Sequence, residues 1–349
     1  MQPRHRSLRR WASSLGAWSA GVLVLLLAAG LIYQEAATRL DERKFPMRGQ
    51  IVDVSGHKMH LDCSGSGAPT VVLDAGLGDS AVTWALVQPG IAAFTRVCSY
   101  DRPGFGWSAE AKVPRDSEHV ARQLHELLTN ADIAGPYILV GHSFGGLNQL
   151  VFASLYPHDV VGVVLVDSSH PDQFNRFPAS YSPEAYENSV RYRVLGASFG
   201  LGRLLGWCRD DYTFPGVSAA WQKVAPEAIA VDCRTTAFRA SLAEGLAFGQ
   251  SAEEAKSVAT LGSIPLVVLS HDPEVGSGFP AVRDVQLERA WNQMQDELRG
   301  LSRNSRRVIA IGSRHYVECY RPELVIAAIR EIYEASRTGG SIAAPTSRQ

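Results

Sequence analysis

The chain has almost no excess of either charge. Its 349 residues hold 34 Lys and Arg against 35 Asp and Glu, a formal net charge of −1. No global field therefore recruits nucleic acid, and beyond the basic N-terminal tail no Lys/Arg run is interleaved with aromatics, so no nucleic-acid partner is expected. Cysteine is scarce. There are five (Cys63, Cys98, Cys208, Cys233 and Cys319), and none stands in a CxxC or His-rich spacing. That argues against a zinc site; neither metal nor cofactor is expected. No internal repeat is present. A composition of 46% hydrophobic and 20% charged residues excludes a disordered chain. The length allows one large or two ordinary domains with a sizeable core.

One long apolar run is present. Residues 1–10 form a basic tail (Arg4, Arg6, Arg9, Arg10), and no charge follows from Trp11 to Tyr33. That run is long enough to cross a bilayer as a helix. It predicts an uncleaved anchor over 11–33; the competing reading is a signal peptide cleaved near Ala28-Ala29-Gly30. Four basic residues precede the run and four follow it (Arg39, Arg43, Lys44, Arg48), so their count does not orient it. The Arg9-Arg10 pair abuts the run without an acid. The expectation is N-terminus inside and the folded domain outside the cytoplasm, periplasmic or extracellular. Residues 34–48 are polar and read as a stalk; residues 338–349 are rich in Gly, Ser and Ala and read as a disordered tail.

Between these ends, short apolar runs alternate with helical patterns. Gln50–Val54 and Lys58–Asp62 predict a hairpin around Ser55-Gly56-His57. Thr70–Leu73, Thr95–Tyr100, Tyr137–Val140, Val161–Val166, Pro265–Leu269 and Arg307–Ile311 predict strands. The continuous apolar ones imply burial on both faces and a parallel sheet. Pro114–Ala131 places Val120, Leu124, Leu127 and Leu128 on one helical face, and Arg321–Arg337 reads as a closing helix. The alternation argues for an α/β fold with a core over 49–167 and 261–337. Residues 168–260 break the rhythm and read as an inserted helical cap.

Gly141-His142-Ser143-Phe144-Gly145 fits G-x-S-x-G, with a strand before it and a helical pattern after it. Strand, turn and helix are the context a nucleophile elbow requires. A Cβ at Gly141 or Gly145 would clash with neighbouring backbone, and the helix N-terminus favours developing negative charge. Ser143 is the candidate nucleophile. A serine hydroxyl needs a base, and His315 lies beyond a late strand, before the last helix. His142 reads as a packing or pocket residue. Asp167 and Asp272 each end a strand, and either preserves the chain order Ser, Asp, His. Asp167 is preferred as the acid and Asp272 is the alternative; the one not used is expected to cap a loop. The Phe144 N–H should supply one oxyanion donor. The Leu77 N–H should supply the other, in Asp74-Ala75-Gly76-Leu77-Gly78, where Gly76 and Gly78 let the backbone approach closely.

Val72–Ser80 with Trp84, the stretch Arg96-Val97-Cys98-Ser99-Tyr100-Asp101-Arg102-Pro103-Gly104-Phe105-Gly106-Trp107-Ser108, and Gly141–Gly146 together resemble the α/β-hydrolase superfamily, in its lid-bearing esterase, lipase and epoxide-hydrolase-like branch. The resemblance runs from about Gln50 to Ala335. It implies a mostly parallel twisted sheet flanked by helices, with the cap inserted and the N-terminal transmembrane helix in front. It also implies a structural role for Asp101 and Arg102 as an ion pair. The oxyanion loop departs from the family's usual His-Gly, reading Ala75-Gly76. Related enzymes that open epoxides or dehalogenate use an aspartate at the elbow, whereas serine favours acyl transfer. The expectation is a carboxylic-ester hydrolase acting on a small-molecule ester through an acyl-enzyme. The alternatives are a C–C hydrolase, an aminopeptidase, a perhydrolase or a non-catalytic binding module. In an exported domain, Cys63 with Cys98 (on strands that would be neighbours in this fold) and Cys208 with Cys233 (both in the cap) are candidate disulfides. Cap aromatics such as Phe174, Phe177, Tyr181, Tyr186 and Phe214 would line an apolar pocket or pack the cap's own core.

Overall fold

The structure, a computed structural model, describes residues 4–178, 183–210, 212–213, 215–278 and 284–342, except the side chains of residues 4–10, 12–15, 183–186 and 210. Eight strands form one sheet: β1 (Gln50–Val54), β2 (His57–Ser64), β3 (Thr70–Asp74), β4 (Val97–Asp101), β5 (Tyr137–His142), β6 (Val160–Val166), β7 (Leu266–His271) and β8 (Ser305–Ala310). Their order is β1-β2-β4-β3-β5-β6-β7-β8. The hairpin turn puts both Ser55 (φ 49°) and Gly56 (φ 83°) in the left-handed region. That backbone matches the twist of the flanking strands. β2 is antiparallel to β1 and β4, and every pair from β4 to β8 is parallel. β3, β5 and β7 are buried along their whole length, as continuous apolar strands covered on both faces must be.

Helix α1 spans Arg4–Lys44, α2 Ser117–Asn130 and α3 Phe144–Leu155. The cap carries α4 (Pro183–Ala197), α5 (Ala219–Asp232) and α6 (Thr235–Lys256). Then come α7 (Val285–Arg299) and α8 (Pro322–Thr338). α2 starts at Asp116, whose carboxylate accepts the His119 N–H at 3.1 Å, and it buries Val120, Leu124, Leu127 and Leu128. It packs with α3 on one face of the sheet. α8 begins with Pro322, buries Val325, Ile329 and Ile332 on the other face, and stops at Gly339 (φ 64°). α7 has no counterpart among the predicted elements. Its Leu287, Trp291, Met294 and Leu298 are buried at helical spacing, a pattern that the many polar residues between them obscure.

Two predicted segments differ. The stalk expected over 34–48 continues α1 to Lys44, because Glu35, Ala36, Ala37 and Leu40 are good helix formers and Glu35 pairs with Arg39 at i,i+4. This part of α1 is docked on the cap: Gln34 Nε2 donates to the Cys233 carbonyl at 2.9 Å, and Asp41 pairs with Arg203 at 2.5 Å. The disorder expected from Thr338 is not found over residues 338–342. Ile342 is buried and its N–H reaches Asn304 Oδ1 at 3.0 Å, while residues 343–349 lie outside the described residues. Cys63 faces Cys98 directly across β2 and β4 and is bonded to it; Cys208 is bonded to Cys233 inside the cap; Cys319 is a buried free thiol. Among the described residues, α1 is the one helix long and apolar enough to cross a membrane, with its apolar window wholly exposed.

Candidate active site

The C-terminal ends of β3, β5, β6, β7 and β8 meet at one edge of the sheet, where ligands of open parallel sheets bind. Ser143 leaves β5 at φ 50° and ψ −119°, a strained turn held by its N–H on the Val166 carbonyl (3.2 Å). Its neighbours from Gly141 to Ala153 are buried, and Ser143 alone among them is partly exposed. The glycines are dictated by contact. A Cβ at Gly141 would lie 2.4 Å from the Gly145 carbonyl oxygen, and one at Gly145 would lie 2.5 Å from that of Asp74. Gly145 thus lets the turn sit directly on the loop that follows β3.

Arg102 shapes that loop. Its guanidinium donates to Asp74 Oδ1 (2.6 Å) and to the carbonyls of Ala75 (2.9 Å) and Gly76 (2.6 Å). Turning carbonyls toward Arg102 leaves N–H groups for the opposite side. Among the described residues the Leu77 N–H has no acceptor, and the Phe144 N–H, in the first turn of α3, has no intrahelical one. Gly76 sits against Asp79 and His142, where a Cβ would be 2.6 Å from Asp79 Oδ2; Gly78 (φ 86°) sits against Ser241 of the cap. Arg102 also pairs with Glu244 of α6 at 2.6 Å, and Asp101 binds His60 at 2.7 Å. The expected Asp101–Arg102 ion pair is therefore replaced by separate ones, Arg102 with Asp74 and Glu244 and Asp101 with His60. Both side chains are buried, and each finds a complementary partner on another element.

Asp167 follows β6 at φ 42°, and its Oδ2 receives His315 Nδ1 at 2.6 Å. Asp272 does not reach His315. Its Oδ2 accepts the Gly312 N–H and its Oδ1 the Glu274 N–H, both at 2.9 Å, while its own N–H donates to Ser313. It organises the loop that carries His315. That loop lies on the elbow: His142 Nε2 is 3.2 Å from the His315 carbonyl, and the two imidazole centroids are 4.7 Å apart. His142 is buried and so packs rather than being open to solvent. Burial, and then the nearby His315, push its pKa well below the ordinary histidine value.

Sequence reasoning missed the far side of Asp167. Its carboxylate also receives the His271 N–H (3.1 Å), His271 Nδ1 (2.8 Å) and Trp291 Nε1 (2.9 Å), and His271 Nε2 meets Glu288 at 2.7 Å. Burial works against a charged His271, but the Asp167 and Glu288 carboxylates prevail and lift its pKa to about 10. Burial alone would raise Asp167. His271 and His315 outweigh it and hold the carboxyl far below the usual carboxylate range. His271 stood at a strand end beside Asp272, a readable position; Glu288 and Trp291 gave no signal because they arrive on α7. Asp79 was missed as well. Burial, only partly offset by Tyr212 and Arg102, pushes it up to about 6.

The model of the family described as "alpha/beta hydrolase fold" matches residues 69–195. With the strand order, elbow and inserted cap above, this decides the family. The chain belongs to the α/β-hydrolase superfamily. A Bacillus subtilis protein, uncharacterized protein YqjL, is 27% identical to this α/β-hydrolase over 281 residues, 80% of this chain and 88% of its own. Among solved structures, Cfl2 from Burkholderia cenocepacia superposes with a TM-score of 0.63 at 22% identity, covering 81% of this chain and 95% of its own. A thermophilic esterase from Thermogutta terrifontis does so with a TM-score of 0.61 at 19% identity, covering 83% and 99%. At these identities the structures share the fold with this α/β-hydrolase, and the chemistry must be argued from its own residues.

The cap closes over the elbow. Phe174 packs edge-on against Phe248 of α6 (4.7 Å), and Phe248 against Phe144 (5.6 Å). Phe177 stacks on Trp291. These aromatics join cap to core, which supports packing roles for them. Tyr181, Phe214 and the side chain of Tyr186 lie outside the described residues.

Proposed function

We propose that this α/β-hydrolase is a serine hydrolase that cleaves carboxylic esters through an acyl-enzyme on Ser143. The observation that carries the reading is the 2.6 Å bond from His315 Nδ1 to Asp167, which fixes the His315 imidazole beside the elbow, its centroid 4.7 Å from that of His142. His315 takes the proton as Ser143 Oγ bonds to the ester carbonyl carbon. The carbonyl π-electrons move to oxygen, and the oxyanion is met by the Leu77 and Phe144 N–H groups. Collapse breaks the bond to the alcohol oxygen, which leaves with the proton from His315. Water, deprotonated by the same imidazole, then releases the carboxylic acid and restores Ser143. Gly76, Gly78, Gly141 and Gly145 keep the two backbone segments close enough for this. Asp167 stays ionised and stabilises the imidazolium that forms.

α1 serves in this reading as an uncleaved anchor, and the folded domain lies outside the cytoplasm. Two disulfides support an oxidising compartment, periplasmic or extracellular. The test is hydrolysis of p-nitrophenyl esters from acetate to palmitate by the full chain, beside Ser143→Ala. Turnover should fall at least about 10³-fold in the variant. Equal turnover by a folded Ser143→Ala protein would remove Ser143 from the mechanism.

A further inference from the structure

The apolar part of α1 meets the cap at one place. Gly30, still inside the uncharged run, lies against Phe199: a Cβ there would be 2.6 Å from the Phe199 carbonyl oxygen. Tyr33, the last residue of the run, lies against Gly200 so closely that a Cβ at Gly200 would be 2.5 Å from the ring. Beyond Tyr33 come Gln34, Glu35, Arg39, Asp41 and Glu42. In a membrane-crossing helix such a change from apolar to charged marks the water interface. On the anchor reading of α1, Phe199 and Gly200 stand at the membrane surface, on its apolar side. Around them the cap exposes four leucines, Leu195 (72%), Leu201 (40%), Leu204 (64%) and Leu205 (59%), and Tyr192 (55%). An exposed apolar cluster of this kind marks an interaction site, and here it is continuous with the lipid-facing flank of α1.

This rim is close to the chemistry. Gly202 packs on Phe238 of α6, and one helical turn further on, about 5 Å, Ser241 of α6 packs on Gly78 of the oxyanion loop. A turn beyond that, Glu244 receives the Gly78 N–H (3.3 Å) and grips Arg102. A single helix links the leucine rim to the loop that would hold the oxyanion.

We propose that the Leu195–Leu205 rim of the cap rests in the same bilayer that α1 crosses, and that the substrates are acyl esters of amphipathic molecules residing in that bilayer. The surface half rests on the anchor reading of α1, and the substrate half on the serine-hydrolase reading. Esters taken up directly from the bilayer would not have to carry their chains through water.

The test uses the full chain. Cys319 is buried and the other four cysteines are paired, so a new thiol at Leu195→Cys, Leu204→Cys or, as a control on the far edge strand, Ile51→Cys accepts an NBD fluorophore selectively. The labelled proteins are reconstituted in phosphatidylcholine–phosphatidylglycerol vesicles with and without spin-labelled lipid. The proposal expects all three to float with the vesicles, and the probe at 195 or 204 to shift blue and lose most of its emission to the spin label while the probe at 51 does not. Floating protein whose rim probes behave like the control overturns it. So does a rim probe that is shielded from water yet unquenched, since protein then covers the face. Failure to float overturns the anchor reading itself and this surface with it. For the substrate half, a Leu204→Glu/Leu205→Glu protein should lose several-fold in turnover of a vesicle-borne long-chain ester and keep its turnover of soluble p-nitrophenyl butyrate. Equal loss on both, or loss on neither, overturns that half; absence of any turnover by the unmodified chain fails the serine-hydrolase reading instead.

Discussion

His271 sits between two carboxylates, so Asp167 has a cation on the side away from His315. Charged His271 with ionised Asp167 and Glu288 leaves the group one negative charge overall, the same as a lone acid. Asp167 is thereby fixed by four donors without its field at His315 being cancelled. His271 has a folded pKa near 10 against an ordinary 6.5. Its contribution to stability is therefore fully present below about pH 6.5 and is lost as pH rises through about 10. The melting-temperature gap between the wild type and His271→Gln should be widest in mildly acid solution and narrow toward that upper limit. A gap that stays constant or grows with pH would rule out a charged His271. Ser143 and His315 were legible in the sequence because an elbow motif and a late strand end mark them. Asp167 and Asp272 were not separable there, since both end strands; the choice depends on side-chain direction and on which loop folds back. His271 carried its strand-end position but no sign of Glu288, which is supplied by another element.

At the level of elements, the elbow is a packing device as much as a chemical one. β5, the turn and α3 fit together only because Gly141 and Gly145 bring backbone to backbone. Gly141→Ala should destabilise the protein by about 3 kcal/mol, near the upper end for overpacking, seen as a lower urea midpoint with an unchanged slope. A loss under about 0.5 kcal/mol, within the range of a neutral surface change, would mean that the turn relaxes freely. Strands and their types were readable because β3, β5, β6 and β7 are continuous apolar runs, and α2 and α8 because their apolar spacing is regular. α7 was not, since charged and amide residues fill its exposed face between four well-spaced anchors. The helical continuation of α1 through 34–44 was hidden by its polarity, which suits a stalk and a solvent-facing helix equally. Good helix formers and the docking site on the cap decide between them.

As a whole, the molecule is an α/β-hydrolase whose long N-terminal helix runs from an apolar span straight onto the cap, and the cap onto the loop that follows β3. Apolar helix, cap and candidate site are therefore joined through α1 and α6. The sequence displayed the apolar run, the core and the cap as separate stretches, but not that they touch, because the contacts at Gly30, Gly200 and Gly78 join residues distant in the chain. The central claim remains the covalent step at Ser143. The most direct measurement is intact-protein and peptide mass spectrometry of the full chain after reaction with a fluorophosphonate probe, with Ser143→Ala alongside. The account predicts one adduct per chain, on the peptide containing Ser143, and none on the variant; an unlabelled wild-type protein, or an adduct that persists in Ser143→Ala, would contradict it.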